Sequence, residues 1–386
     1  MKSYFGHRPA CLTAAQRDHN MNLYIGTYTQ TKQNPEGRKE GVFRCSFNPL
    51  NGKIELLGAY EAGPNPSFIA LNTRTDRLYT ANRLYAVNET RQFQGNPGGS
   101  VSSFAIDPAD GSLTLLSVHP TRGTSPCYIS LDHSEKWALV ANYGSGSLAT
   151  FPVLEDGSLG ALAGFRQHAG QTGPHPTRQE GPHAHSICQD PRGELFLAAD
   201  LGLDLLLVYR LNRETGVLDP NQPPAIRFHA GSGPRHFAFH PSQPWLYCCG
   251  ELDSTVTAIK WNHQTGEMKI FQVISMLPSG WQGNSTAADI HFTPNGMYLY
   301  ASNRGHDSLA AFAVDPSTGA LSFIGTVSSG GKTPRNFAID PSGRWIIVAN
   351  QNSDNLVIFG IDQSTGCPQA TGIELAIPAP VCIQFC

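Results

Sequence analysis

The feature that most constrains the fold is a motif that recurs from one end of the chain to the other. Each copy opens with Pro or His, runs through a short apolar strand, turns at a sequence such as Asp-Pro-x-Gly, and closes a second apolar run with Ala-Asn or a similar pair. Residues 126–142 are a complete copy. Successive copies begin roughly 46 to 60 residues apart, which is the spacing of blades in a β-propeller.

A second turn follows each copy and has nearly the same sequence every time. It reads Asn51-Gly52, Asp110-Gly111, Asp156-Gly157, Thr215-Gly216, Thr265-Gly266, Thr318-Gly319 and Thr365-Gly366. Gly in such a pair supplies the positive φ that a tight hairpin turn requires. Each unit therefore contains four short antiparallel strands, which we designate A to D.

The starts of the inner strands give the number of blades. They are Pro66, Pro126, Pro182, Pro234, Ala287, Pro334 and Pro380. The last start has only an A strand before Cys386, whereas the first strands of the chain have no A strand before them. We predict an all-β, seven-bladed β-propeller over residues 21–386, in which N- and C-terminal strands share one blade and close the ring.

Composition limits the possible functions. The chain has 386 residues and a net charge of −3, and its basic residues are scattered, so we expect no nucleic-acid partner. No apolar run approaches the length of a membrane span. The nine cysteines lack the spacing of a disulfide framework, and residues 1–20 lack the apolar core of a secretory signal. We expect a cytoplasmic protein with a disordered leader at residues 1–20.

Propeller geometry brings a set of polar residues together. The start of strand A and the end of strand B lie far from the A–B turn, at one mouth of the central channel, where ligand sites form. The A-strand residues expected there are His183, His185, Arg235, His236, Asp289, His291 and Arg335. The B-strand residues are Asp200, Glu251, Arg304 and His306, with Asn82, Asn142, Asn303 and Asn350 in equivalent places.

Structural roles compete with functional ones at these positions. The recurring Asn residues are typical of turns and backbone hydrogen bonds, and His236 and His291 can bond to a neighbouring blade. Arg235 and Glu251 belong to one blade and can form a simple ion pair. Four histidines, His168, His175, His183 and His185, lack the usual spacing of zinc ligands and lie near two arginines, so we expect no functional metal.

Five segments of the sequence carry a family resemblance. They are Gly233-Pro234-Arg235-His236, Gly250-Glu251-Leu252, Ala287-Ala288-Asp289-Ile290-His291, Asn303-Arg304 and Thr333-Pro334-Arg335-Asn336-Phe337. From about Leu23 to the C-terminus, the chain resembles the seven-bladed lactonase family. This family includes cycloisomerase-2-type 6-phosphogluconolactonases and 3-carboxy-cis,cis-muconate lactonizing enzymes.

The resemblance implies site residues and no cofactor. It assigns catalysis to His185, Arg235, Glu251 and Arg304, and we expect Arg335, His236, Asp289 and His291 to contact substrate. The chain departs from the family at Gly250, where the family motif has Asn, and in inserts at 83–100 and 167–182.

The implied activity is hydrolysis of 6-phospho-D-glucono-1,5-lactone to 6-phospho-D-gluconate, a step of the pentose phosphate pathway. Glu251 or His185 would take the proton from water, and Arg235 and Arg304 would hold the anionic substrate or the oxyanion. The partner is then a small anionic sugar lactone, and the protein a monomer or weak homo-oligomer. A carboxy-muconate cycloisomerase and a non-catalytic binding platform are the alternatives.

Overall fold

The computed structural model describes residues 20–30, 37–72 and 83–386, and in these ranges all regular structure is β-strand. The strands of the first half are β1 (Met21–Thr27), β2 (Glu40–Phe47), β3 (Ile54–Glu61), β4 (Pro66–Leu71), β5 (Arg83–Asn88), β6 (Gln92–Phe93), β7 (Asn96–Pro97), β8 (Ser100–Ile106), β9 (Leu113–Pro120), β10 (Pro126–Leu131), β11 (Trp137–Asn142), β12 (Ser147–Pro152), β13 (Gly164–Gln167), β14 (Ala184–Gln189) and β15 (Leu195–Asp200). Those of the second half are β16 (Leu205–Leu211), β17 (Leu218–Arg227), β18 (Pro234–Phe239), β19 (Trp245–Gly250), β20 (Thr255–Trp261), β21 (Met268–Ser275), β22 (Thr286–Phe292), β23 (Tyr298–Arg304), β24 (Ser308–Val314), β25 (Leu321–Ser328), β26 (Pro334–Ile339), β27 (Trp345–Asn350), β28 (Asn355–Ile361), β29 (Pro368–Ala376) and β30 (Pro380–Phe385). In the described ranges, no helix is long and apolar enough to cross a membrane.

The strands form seven four-stranded antiparallel blades, which confirms the predicted fold class. Blade 1 contains β4, β5, β8 and β9, and blades 2 to 6 each take the next four strands from β10 to β29. Blade 7 has the order β3-β2-β1-β30, so its inner strand comes from the C-terminus and its other three strands from the N-terminus. The predicted closure of the ring by the two ends of the chain is confirmed.

The hydrophobic core lies between neighbouring blades and is divided into one cluster per interface. One cluster joins Tyr247 of blade 4 to Phe312 of blade 5, and both side chains are fully buried. The Tyr247 hydroxyl also donates a hydrogen bond of 2.6 Å to the carbonyl of Gly319, in the C–D turn of the next blade. That glycine has a φ of 78°, as the repeated turn sequence predicts.

The second strand of blade 1 differs from the sequence prediction. Ala81 and Asn82, which we expected to end this strand, lie outside the described residues, and the strand that pairs with β4 is β5, ending at Asn88. The first six residues of the expected insert 83–100 are therefore blade structure, since they form β5. In blade 3 the inner strand begins at Ala184 rather than at Pro182.

Removal of residues 380–386 is expected to cost more than about 4 kcal/mol of stability, because it exposes β1 as an unpaired edge and removes core side chains. Ile383, which pairs with Ile25, is 3 % exposed. The melting temperature and the elution volume of the shortened protein test this expectation. Cys386→Ser is the control, since it leaves β30 intact. Equal melting temperatures for the shortened and full-length chains would contradict closure.

Candidate active site

Each inner strand carries a β-bulge at its second residue, at the same end of the channel. The pairing of strands A and B skips this residue in every blade, and in blades 4 and 5 it skips the next one as well. The first skipped residues are Ser67, Cys127, His185, Arg235, Ala288, Arg335 and Val381. Bulges redirect side chains and are frequent beside active sites. Three of the predicted site residues therefore occupy one structural position in three blades.

A second ring of residues follows the B strands. Each member comes directly after a residue that pairs with the start of strand A, which in blade 5 is Asn303, the partner of Ala287. The members are Tyr28, Glu89, Tyr143, Leu201, Glu251, Arg304 and Gln351. The two rings meet at one mouth of the channel, as the hairpin geometry predicts.

Glu251 is the centre of the charged cluster at this mouth. Its carboxylate lies 2.8 Å from Nε of Arg235 and 3.0 Å from Nη2 of Arg304, and its other oxygen accepts a hydrogen bond from Arg178. Nε2 of His185 is 4.0 Å from the same carboxylate. The ion pair between Arg235 and Glu251 is real, but it is part of a group of three arginines and one histidine.

Arg178 was not predicted, because it lies in the insert at 167–182 rather than in the repeat. Gln179 anchors this segment by donating hydrogen bonds to the carbonyl of Leu201 and to Asp204, at 2.9 and 2.8 Å. Gly202 allows the segment to pack closely against it, since a Cβ at Gly202 would lie 1.8 Å from the carbonyl oxygen of Gly181. The segment thereby holds the Arg178 side chain over Glu251.

The three arginines differ in how much of each side chain is exposed. The side chain of Arg235 is 2 % exposed, that of Arg304 15 % and that of Arg178 34 %. Arg235 also donates a hydrogen bond to the carbonyl of Ala288, so most of its guanidinium is occupied inside the protein. Within the described residues, Nε of Arg304 is buried and has no hydrogen-bond partner. Arg304 and Arg178 are therefore the accessible arginines of the cluster, whereas Arg235 contacts Glu251 from the protein interior.

The pKa shifts distinguish the two candidate bases. Burial alone would raise the pKa of Glu251, but Arg304, Arg235 and Arg178 hold it well below 4.5. Burial, together with Arg235 and His236, lowers the pKa of His185 well below 6.5. At neutral pH Glu251 is therefore ionised and His185 neutral. Three arginines contact the Glu251 carboxylate, so His185 is the less engaged of the two candidate bases.

Arg335 lies on the other side of the mouth, in blade 6. Its guanidinium carbon is 5.3 Å from the centre of the Tyr28 ring, and the Tyr28 hydroxyl donates a hydrogen bond of 2.7 Å to Glu89. Tyr28 and Glu89 were missed in the sequence, although both belong to the ring that follows the B strands. The same position in the repeat had identified Glu251 and Arg304, so repeat alignment was the signal that could have found them.

His236, Asp289 and His291 lie one layer deeper than the charged cluster. Asp289 accepts hydrogen bonds from His236 and His291, both at 2.8 Å, and from Asn336 at 2.5 Å. His236 is thus bonded to the neighbouring blade, which was the structural alternative. Burial and Arg235 lower the pKa of His236 to about 4.

An aromatic plug divides the channel at this level. Phe68 and Tyr128 stack with ring centres 4.3 Å apart, and the ring of His236 packs against both at 5.8 and 5.2 Å. Because blades 1, 2 and 4 do not all neighbour one another, these contacts cross the channel.

A cavity of about 1990 Å³ opens on the opposite face, and His236, Asp289 and His291 line it, whereas Glu251 and Arg304 do not. We place the site at the charged mouth, because the reactive groups lie there.

Several other expectations concern supporting residues. Asn303 and Asn350 donate hydrogen bonds to the backbone carbonyls of Met276 and Ser329, which confirms their structural role. Burial raises the pKa of the Cys127 thiol, so this sulfur beside His185 is a poor nucleophile. Within the described ranges, no three His, Cys, Asp or Glu side chains are grouped as metal ligands.

Comparison with known proteins identifies the family. The family described as "Lactonase, 7-bladed beta-propeller" matches residues 22–385. The chain belongs to this lactonase family. A member from Bacillus subtilis named 6-phosphogluconolactonase is 35 % identical over 308 residues, which is 80 % of this chain and 82 % of that protein.

Two further members of the lactonase family support the assignment. A Formosa agariphila protein named 6-phosphogluconolactonase is 34 % identical over 78 % of this chain and 82 % of its own length. The structure of the periplasmic gluconolactonase of Pseudomonas aeruginosa superposes with a TM-score of 0.85 at 33 % identity, covering 95 % of this chain and 99 % of that chain. The two structures thus share their fold over nearly the whole length of both chains.

Proposed function

We propose that the protein hydrolyses a sugar lactone, and that its substrate is 6-phospho-D-glucono-1,5-lactone. The observation that carries the proposal is the buried Glu251 carboxylate, held by three arginines next to the neutral His185 at the channel mouth. The names of the relatives from Bacillus subtilis and Formosa agariphila support the same substrate.

The site provides the groups that ring opening requires. A water oxygen attacks the lactone carbonyl carbon while His185 takes one of its protons, and a tetrahedral oxyanion forms. Arg304, whose side chain is 15 % exposed at the mouth, donates to that oxyanion. The carbonyl then re-forms, the bond to the ring oxygen breaks, and the His185 imidazolium returns the proton to this oxygen. Glu251 stays ionised and keeps the arginines in place.

A pH-stat assay of the purified protein tests the proposal. We expect acid release faster than spontaneous hydrolysis with 6-phosphoglucono-δ-lactone and glucono-δ-lactone, and none with a muconolactone. Turnover of the muconolactone in the absence of sugar lactone hydrolysis would identify a cycloisomerase. No acid release above background with any of the three would leave a binding platform.

The pH dependence of kcat should report the low pKa of His185. The base must be neutral to act, so activity is present above its pKa and lost as the pH falls through it. Because this pKa lies well below 6.5, we expect kcat to stay constant between pH 7.5 and 6.5 and to fall only well below pH 6.5. Glucono-δ-lactone is the substrate for this test, since it has no phosphate that titrates. A midpoint at or above pH 6.5 would contradict the assignment.

Chelation is expected to leave activity unchanged, because protein groups alone provide the base and the oxyanion donors. The measurement compares kcat before and after dialysis against EDTA, with calcium and zinc added back separately. Loss of activity on dialysis, followed by recovery with either ion, would instead indicate a metal-dependent lactonase.

We also propose a reducing compartment, the cytoplasm, as the site of action. Seven cysteines of the described residues are free thiols, and several of them are buried, which suits a compartment where thiols stay reduced; they are Cys45, Cys127, Cys188, Cys248, Cys249, Cys367 and Cys382. Fractionation of the source cells, with detection of the protein by antibody, tests this proposal. Recovery of the protein from an oxidising compartment would overturn it.

A further inference from the structure

Arg335 differs from the other arginines of the mouth in its partners. Arg178, Arg235 and Arg304 all contact Glu251. Among the described residues, Arg335 makes no side-chain hydrogen bond or ion pair, and its guanidinium lies over the face of the Tyr28 ring, at 5.3 Å. Its N–H groups are therefore left to water or to a ligand that offers acceptors.

Its neighbours hold Arg335 in one place. The Tyr28 ring supports the guanidinium by a cation–π contact, and the hydrogen bond from the Tyr28 hydroxyl to Glu89 fixes that ring. Burial raises the pKa of Tyr28 above its usual value, so the phenol stays neutral. An arginine fixed by its flat face keeps its N–H edge free for a planar or tetrahedral anion.

The position of Arg335 relates it to the reacting groups. Arg335 and His185 are bulged residues of the same ring, in blades 6 and 3, which lie on nearly opposite sides of the mouth. The charge of Arg335 acts on the reacting groups, since it helps to lower the pKa of both His185 and Arg304. In 6-phosphogluconolactone the phosphate is on C6, outside the ring and several bonds from the lactone carbonyl.

Charge favours a dianion at this position. The four arginines of the mouth face the carboxylates of Glu251 and Glu89, which leaves two net positive charges among these six groups. A phosphate monoester carries up to two negative charges near neutral pH. Among the described residues Glu89 forms no ion pair with Arg335, although its charge helps to raise the pKa of that guanidinium, and its Oε2 accepts the Tyr28 hydroxyl at 2.7 Å.

We infer that Arg335, supported by Tyr28, binds the phosphate of the substrate and sets the preference for phosphorylated over unphosphorylated lactones. This inference rests on the proposed lactonase function and refines it. It moves the anion-binding role that the sequence indicated for Arg235 and Arg304 to Arg335, since those two arginines are engaged with Glu251.

The test compares Arg335→Gln with the wild-type protein on 6-phosphoglucono-δ-lactone and glucono-δ-lactone. Loss of charge-assisted hydrogen bonds to phosphate should lower the ratio of kcat/KM for the two substrates by about 10- to 100-fold, chiefly through KM for the phosphorylated lactone. Arg335→Lys keeps the positive charge but loses the paired N–H donors of the guanidinium. Its ratio of kcat/KM should therefore lie between those of the wild type and Arg335→Gln. Lys332→Gln is the matched control, because it removes a positive charge from an exposed position three residues before Arg335.

Inorganic phosphate provides a second measurement. It should inhibit glucono-δ-lactone hydrolysis competitively in the wild type and at least 10-fold more weakly in Arg335→Gln. An unchanged substrate ratio, or an equal change in Lys332→Gln, would overturn the inference while leaving the lactonase function intact. If the wild type hydrolysed neither lactone, the proposed function would fail, and calorimetry with phosphate on the same two proteins would still decide whether Arg335 binds the anion.

Discussion

Replacement of His185 by Asn is expected to lower kcat for 6-phosphoglucono-δ-lactone by about 10²-fold or more, with a much smaller change in KM. The imidazole is the group at the mouth that combines a neutral state at pH 7 with a position 4.0 Å from the Glu251 carboxylate. Asparagine retains polarity and approximate size but cannot accept a proton from water. Steady-state kinetics and a melting curve on the same preparation measure the two effects separately.

His175→Asn is the control for this experiment. His175 is an exposed histidine in the segment that carries Arg178, and its ring accepts a hydrogen bond from the backbone of Thr177. The His175→Asn protein should retain the kcat of the wild type. Retention of full kcat by His185→Asn would remove His185 from the proton transfer and return the role of base to Glu251.

Replacement of Glu251 by Gln is expected to impair both stability and activity. The carboxylate is 2 % exposed and neutralises three guanidinium groups, so its loss leaves buried positive charges without a partner. Breaking a buried ion pair in this way costs roughly 3–5 kcal/mol. The activity per folded molecule should also fall by about 10²-fold, because Arg304 loses the anchor that directs it to the oxyanion.

Denaturant unfolding and kinetics on Glu251→Gln test both effects. Glu194→Gln is the matched control, since Glu194 is 72 % exposed and its ion pair with Arg213 should contribute less than about 1 kcal/mol. A Glu251→Gln protein as stable as Glu194→Gln would show that the arginines do not depend on the carboxylate. Loss of stability with unchanged turnover would show that the cluster has a structural role and no catalytic one.

The architecture could be predicted from the sequence because the repeat determines it. The Thr-Gly and Asp-Gly pairs mark the C–D turns, and the A strand before Cys386 completes the blade that the N-terminal strands begin. The convergence of His185, Arg235, Glu251 and Arg304 also follows from the repeat, because each occupies one of two positions that every blade brings to the mouth.

The error in blade 1 has a specific cause in the sequence. Leu78-Tyr79-Thr80-Ala81-Asn82 is followed at once by Leu84-Tyr85-Ala86-Val87-Asn88, and both match the end of a B strand. Pattern alone cannot choose between two copies six residues apart. The pairing of Pro66 with Asn88 selects the second, in which Asn88 donates a hydrogen bond of 2.7 Å to the carbonyl of Ala62.

Arg178 could not be predicted by the same reasoning. It lies outside the repeat, so no register relates it to the channel mouth. Its position depends on the contacts of Gln179 with Leu201 and Asp204, and on the space left by the missing side chain of Gly202. Such contacts join residues through tertiary structure and leave no periodic pattern in the sequence.

The bulge at the second residue of each inner strand has a consequence for how new specificities arise on this scaffold. Seven equivalent positions hold Ser, Cys, His, Arg, Ala, Arg and Val, while the strands around them keep one geometry. The ladder skips these residues, so their identity is not dictated by strand pairing. Ser67, Ala288 and Val381 are thus candidate positions for redesign, and because all three are buried, a larger side chain there must displace its neighbours at the mouth.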